Sequence, residues 1–143
     1  MHENVLILTG VNSLGARLRQ ALKDGWVEEI TWCKRSSELV FEKGWFEKFT
    51  TIVIGEIFCD NGRETAALVR KIRKEYFNPM IGIHDIFTGE GLFPLQVAGC
   101  NFPIHSVAGS SDEAEREIVR AVKKDVYQIA GELGRDHHHR RTA

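Results

Sequence analysis

The chain has 143 residues, 43% of them hydrophobic and 27% charged, with a formal net charge of −1. That length holds one domain with one core, and the balanced charge leaves no electrostatic footprint for nucleic acid or an anionic membrane surface. No apolar run approaches the roughly 20 residues that span a bilayer. Met1-His2-Glu3-Asn4 lacks the basic start of a signal peptide, so a cytoplasmic location is expected. The three cysteines, Cys33, Cys59 and Cys100, are odd in number and widely spaced, which fits neither a disulfide framework nor a paired zinc motif. They read as buried or half-buried thiols. Cys59 is the one placed where active-site loops lie, after a strand.

In chain order, Val5-Leu6-Ile7-Leu8 is a continuous apolar run, as in a parallel strand covered on both faces. Asn12 or Ser13 can cap the helix that follows, whose Leu14, Leu18, Ala21 and Leu22 share one face. Gly25 suits its stop. Ile30 to Cys33 reads as a short second strand. Ser36 or Ser37 opens a second helix, with Leu39, Val40, Trp45 and Phe46 as its apolar content and Gly44 weakening it. Thr51-Ile52-Val53-Ile54 is a β-branched third strand. Asp60-Asn61-Gly62 is turn chemistry, and Arg63 to Tyr76 is a helix with Ala66, Val69, Ile72 and Tyr76 facing a core. Asn78-Pro79 ends it. Met80 to Ile83 is a fourth strand, Thr88 to Gly99 a weak helix or loop, and Asn101 to Ile104 an irregular fifth strand. Ser110 with Glu113 forms a capping box for a last amphipathic helix carrying Ile118, Val122, Val126 and Ile129.

The order βαβαβαβαβα implies an α/β fold, a doubly wound five-stranded parallel sheet with helices on both faces. Residues 1–133 form this domain, and residues 134–143 are a polar, basic tail expected to fray. His137-His138-His139 within that tail reads as an adventitious metal binder. Ligands of such folds bind at the carboxyl ends of the strands. The positions of interest are therefore Thr9-Gly10-Val11, Gly55-Glu56, His84-Asp85 and His105-Ser106.

These elements resemble the receiver domains of bacterial response regulators over roughly residues 4 to 126. Val5 to Leu22 aligns with a receiver start without a gap. Asp60-Asn61-Gly62 is similar to the acidic-glycine turn before the third receiver helix. Ala98-Gly99-Cys100-Asn101 is similar to the stretch before the fifth strand. The resemblance implies a strand order of 2-1-3-4-5. It also implies a phosphorylation pocket, and that pocket is degenerate here. Where the family holds magnesium with an acidic pair, this chain reads Thr9-Gly10 or Gly10-Val11, with no carboxylate. The phosphoacceptor position falls on Glu56, or on Gly55 with a slip of one. The switch hydroxyl position falls on His84, the lysine position on Ser106 and the proline after it on Val107. Glu56 can then act as a fixed mimic of the charged state, or be a solvated residue at a strand end. The resemblance implies a pseudo-receiver that signals without phosphorylation, through protein–protein contact, either standing alone or as a fragment of a larger regulator. No catalytic residue, metal or cofactor is assigned. The final helix, with Glu113, Glu115, Arg116, Lys123 and Lys124, is a candidate face for a homodimer. Aromatics concentrate in Trp26, Trp32, Trp45 and the Phe46–Phe49 segment; most belong to the core, and an exposed one would mark a protein-binding patch.

Two other readings stay open. Thr9-Gly10-Val11-Asn12-Ser13-Leu14-Gly15 also resembles the nucleotide-binding turn of short-chain dehydrogenases, where glycines bring the backbone close to a pyrophosphate. Arg35 could meet a 2′-phosphate there. The middle glycine is absent, the spacing is one residue short, and no Tyr-x-x-x-Lys pair exists. His84, Asp85, His105 and Glu56 could also converge for metal binding or acid–base work.

Overall fold

The computed structural model describes residues 3–83, 93–104 and 111–125. Five strands form one parallel sheet: β1 (Asn4–Leu8), β2 (Glu29–Cys33), β3 (Thr51–Gly55), β4 (Met80–Ile83) and β5 (Phe102–Ile104). Their order is β2-β1-β3-β4-β5, as the resemblance implies. Register places Leu6 beside Thr31 and Ile52, and Val53 beside Ile81. The helices are α1 (Asn12–Asp24), α2 (Gly62–Arg73), α3 (Phe93–Ala98) and α4 (Ser111–Asp125).

Strand alternation divides the core into two layers. Val5, Ile7, Val53, Ile81 and Ile83 face α1 and α4, where Leu18, Leu22, Ile118 and Val122 cover them. Leu6, Leu8, Ile52, Ile54 and Met80 face the other way, toward Ala66, Val69 and Ile72 of α2 and Leu95 of α3. Apolar runs with no polar alternation are what a sheet covered on both faces requires.

The expected second helix is absent. Residues 34–50 instead hold two short 3₁₀ turns, Ser36–Glu38 and Phe46–Lys48. Glu38 folds back to accept the backbone N–H groups of Lys34 and Arg35 at 2.9 and 3.0 Å, closing the first turn. Leu39 is then extended and Gly44 takes a φ of 89°, so no helical ladder can run through. Aromatic packing fills the layer instead. Phe46 lies 5.2 Å from Phe41 and 4.9 Å from Trp45, and Trp45 lies 5.1 Å from Phe49, ring centre to ring centre. Such pairs add about 0.5–1.5 kcal/mol each beyond their buried area.

Helix ends differ from expectation in detail. Neither Asn12 nor Ser13 caps α1. Val11 occupies the N-cap without a side-chain bond, and Thr9 Oγ1 accepts the Val11 N–H at 3.1 Å. Asn61 caps α2 by accepting the Glu64 N–H at 2.8 Å. Pro94 falls in the first turn of α3, where its missing N–H costs nothing. Ser110 of the expected capping box, and Val126 and Ile129, lie outside the described residues.

At the end of α1 the left-handed position belongs to Trp26 (φ 67°), not to Gly25. The Trp26 N–H bonds to the Lys23 carbonyl and the Val27 N–H to the Leu22 carbonyl, both at 3.0 Å. This turn ordinarily carries glycine. The Trp26 side chain is 85% exposed, so it regains little by burial. Trp26→Gly is expected to stabilise the domain by about 1 kcal/mol, read as a raised urea midpoint at unchanged slope.

Burial also shapes the response to alkali. Tyr76 is buried, donating its hydroxyl to the Phe49 carbonyl at 3.0 Å, and desolvation holds its phenol well above the usual range. Desolvation likewise pushes the buried Cys100 thiol up to about 12. Both groups are more readily deprotonated in the unfolded chain, at about pH 9–10. Their contribution is full below that range and is lost progressively as pH rises above it toward the raised folded-state values. The urea midpoint should therefore fall between about pH 8 and about pH 10.5, and the fall should shrink in Cys100→Ala.

Candidate functional site

The carboxyl ends of the strands form one edge, and Thr9, Gly10, Val11, Gly55 and Glu56 of the expected positions are described there. Thr9 follows β1 and Glu56 follows β3; each side chain is 1% exposed. The Thr9 N–H bonds to the Cys33 carbonyl at 3.3 Å, which holds it to the end of β2. The Glu56 N–H bonds to the Ile83 carbonyl at 2.9 Å, which fixes it beside the end of β4. Glu56 is thus not a solvated strand-end residue, and that alternative is corrected. It is a buried carboxyl group at the sheet edge, a placement that has to be supported by its surroundings.

Gly10 is exposed between these elements, in the loop from β1 to α1. His84, Asp85, His105, Ser106 and Val107 lie outside the described residues, as do the tail histidines. Among the described residues, no three His, Cys, Asp or Glu side chains gather closely enough to share a metal ion.

The Gly10–Gly15 turn has a packing role. An ideal Cβ on Gly15 would come 2.0 Å from Cζ2 of Trp32. The indole fills the space over the start of α1, with its Nε1–H donated to the Thr9 carbonyl at 3.0 Å. Arg19 and Lys34 sit 5.4 and 4.8 Å from its ring centre, within cation–π range. Gly15 is therefore small because Trp32 needs its place, and a pyrophosphate would have to displace a braced indole. Strand order argues the same way, since the dinucleotide fold runs 3-2-1-4-5-6.

Cys59 is half-buried in the loop after β3, and its N–H bonds to Thr65 Oγ1 at 3.1 Å. Desolvation raises its thiol above the usual range, with the Thr65 hydrogen bond opposing. A raised thiol is a poor nucleophile near neutral pH, so Cys59 reads as structural. Cys33 and Cys100 are buried and also raised, chiefly by desolvation.

The α4 face is only partly free. Glu115 pairs with Arg17 of α1 at 2.8 Å, and Lys123 with Glu3 at 2.7 Å. Two of the five charged residues expected to serve a dimer are thus engaged within the chain. Trp26 is exposed, as Phe77 also is, and periodicity could not reveal it: Trp26 sits in a left-handed turn that a sequence reading gives to Gly25. Among the described residues no helix is long and apolar enough to cross a membrane.

No protein-family model matches the chain, and no curated protein matches it. Solved structures do. A two-component response regulator from Clostridium difficile aligns with 88% of this chain and 99% of its own, at 17% identity and a TM-score of 0.68. A phosphorylated cyanobacterial phytochrome response regulator aligns over 87% and 93%, at 15% identity and a TM-score of 0.65. A putative pilus assembly protein from Burkholderia thailandensis aligns over 85% and 98%, at 15% identity and a TM-score of 0.64. The strand order, the helices on both faces and the near-complete coverage agree: this chain has the receiver fold of response regulators.

Proposed function

We propose that the chain is a pseudo-receiver, a signalling domain that acts through contact with a protein partner and takes no phosphoryl group. The observation that carries this is Glu56. In the receiver resemblance it falls at the phosphoacceptor position, and it is 1% exposed. An acceptor must be reached by a phosphodonor and backed by magnesium, and the magnesium-binding acidic pair is replaced by Thr9-Gly10. A carboxylate longer by one methylene sits near where a phosphoryl oxygen would be, so the charge is built in. His84 and Ser106 complete the altered pocket in this reading: neither supplies the switch hydroxyl or the cation at the position where each is needed. With the input fixed, regulation falls to the surface and to whatever binds it. Domain boundaries of 1–133 with a basic tail at 134–143, and a cytoplasmic setting, belong to the same reading.

An amide NMR titration with magnesium and beryllofluoride, a phosphoryl mimic, tests the reading: a domain without phosphoryl chemistry should show no saturable shifts. Loss of a bound partner on Glu56→Gln would add support for the fixed carboxylate.

A further inference from the structure

α1 and α4 lie side by side on one face of the sheet, and a trough of about 660 Å³ runs between them. Its floor is apolar: Ala21, Gly25 and Val119 line it. An ideal Cβ on Gly25 would come 2.5 Å from Val119 Cγ1, so the two helices close tightly at that point. The charges around the trough are unequally satisfied. The Arg17–Glu115 pair bridges the helices, and the Lys123 ammonium is held by Glu3 at 2.7 Å and the Trp26 carbonyl at 3.1 Å. Arg116 and Arg120, one turn apart on α4, line the same trough and are exposed. Neither has an ion-pair partner among the described residues.

Trp26 follows directly on Gly25. Its indole is displayed to solvent from a backbone conformation that disfavours any side chain. Packing within the described residues accounts neither for a strained, exposed tryptophan nor for two arginines without an ion-pair partner there. Both are what a docking site needs, since tryptophan and arginine dominate binding hot spots.

We propose that this trough receives an acidic amphipathic helix of a partner protein, with carboxylates one turn apart facing Arg116 and Arg120, an apolar stripe on Ala21 and Val119, and Trp26 closing one end. The proposal rests on the partner-contact reading above and specifies its surface. Charge selects this occupant over two others. The chain's own residues after Asp125 carry Arg135, Arg140 and Arg141 against Glu132 and Asp136, a cationic sum that does not complement the trough. The lining carries Arg17, Arg116, Arg120 and Lys123 against Asp24 and Glu115, so a second copy set trough to trough would meet the same cationic excess rather than offset it.

The test uses the full chain and a synthetic amphipathic peptide, with leucines along one stripe and glutamates one turn apart beside it, alongside a version with glutamine for glutamate. Amide and indole NMR should show saturable shifts at Ala21, Gly25, Val119 and Arg120 and at the Trp26 indole. The glutamine peptide should bind about tenfold or more weakly, and Arg116→Glu with Arg120→Glu should produce a similar loss. Trp26→Gly, which should fold more stably, should nevertheless bind severalfold more weakly. Absence of shifts would overturn the proposal, as would equal binding of the glutamine peptide, indifference to the arginine changes, or mass growth with concentration showing self-association. A response to beryllofluoride would overturn the pseudo-receiver reading while leaving the trough untouched, so the two failures are separable.

Discussion

Arg73→Ala should cost about 3 kcal/mol of stability, the largest loss expected from any single side chain outside the apolar core. Its guanidinium joins the end of α2 to the segment leading into β5. Nε and Nη2 both donate to the Gly99 carbonyl, at 3.0 and 2.8 Å, and Nη2 also donates to Asn101 Oδ1 at 2.6 Å. Nη1 donates to the Tyr76 and Asn78 carbonyls at 3.1 and 2.7 Å. Truncation leaves these acceptors partly unsatisfied in a half-buried setting, where each charged hydrogen bond counts for about 1.5–3 kcal/mol before the losses overlap. Asn101 matters in turn, because its Oδ1 accepts the Met80 N–H at 3.1 Å and so ties β5 to β4. Amide exchange in β4 and β5 should accelerate beyond the global change. Arg73→Lys should not rescue, since an ammonium cannot span acceptors spread around a planar fork. Equilibrium urea unfolding checks the first expectation and hydrogen exchange the second.

Gly15→Ala should destabilise the domain by about 2 kcal/mol, against the usual sign for such a change in a helix. Elsewhere in a helix the methyl group is favourable by about 1 kcal/mol. Here it would lie 2.0 Å from the Trp32 ring. The indole would have to move and loosen its hydrogen bond to the Thr9 carbonyl and its contacts with Arg19 and Lys34. In a Trp32→Val background the same substitution should become neutral or stabilising, so a double-mutant cycle reads the clash directly. Had Gly15 been kept small for a nucleotide phosphate, its cost would not depend on Trp32, and a dinucleotide would protect the wild type against unfolding.

These two residues also show how far the sequence could be read. Val5–Leu8, Thr51–Ile54 and Met80–Ile83 announce their strands because a sheet covered on both faces favours near-continuous apolar and β-branched runs. Ala66, Val69 and Ile72 announce α2 by spacing alone. The second helix fails because Leu39, Val40, Trp45 and Phe46 are apolar without regard to period: their burial comes from aromatic stacking around Gly44, a tertiary arrangement with no local signal. Arg73 and Trp32 look like ordinary surface and core residues, and their roles depend on acceptors and glycines distant in sequence. The placement of Thr9 and Glu56 at the carboxyl edge of the sheet was legible from element order, and the structure adds that both are buried.

The most direct test of the central claim is the beryllofluoride titration of the full chain with magnesium, followed at the amides of Thr9, Gly10, Gly55 and Glu56. The pseudo-receiver account expects a flat titration at every concentration, with Glu56→Asp alone equally silent because the acidic pair at Thr9-Gly10 is still missing. Saturable shifts at these four amides in the wild-type chain would contradict it, and would mean that a phosphoryl group still finds its place beside Glu56.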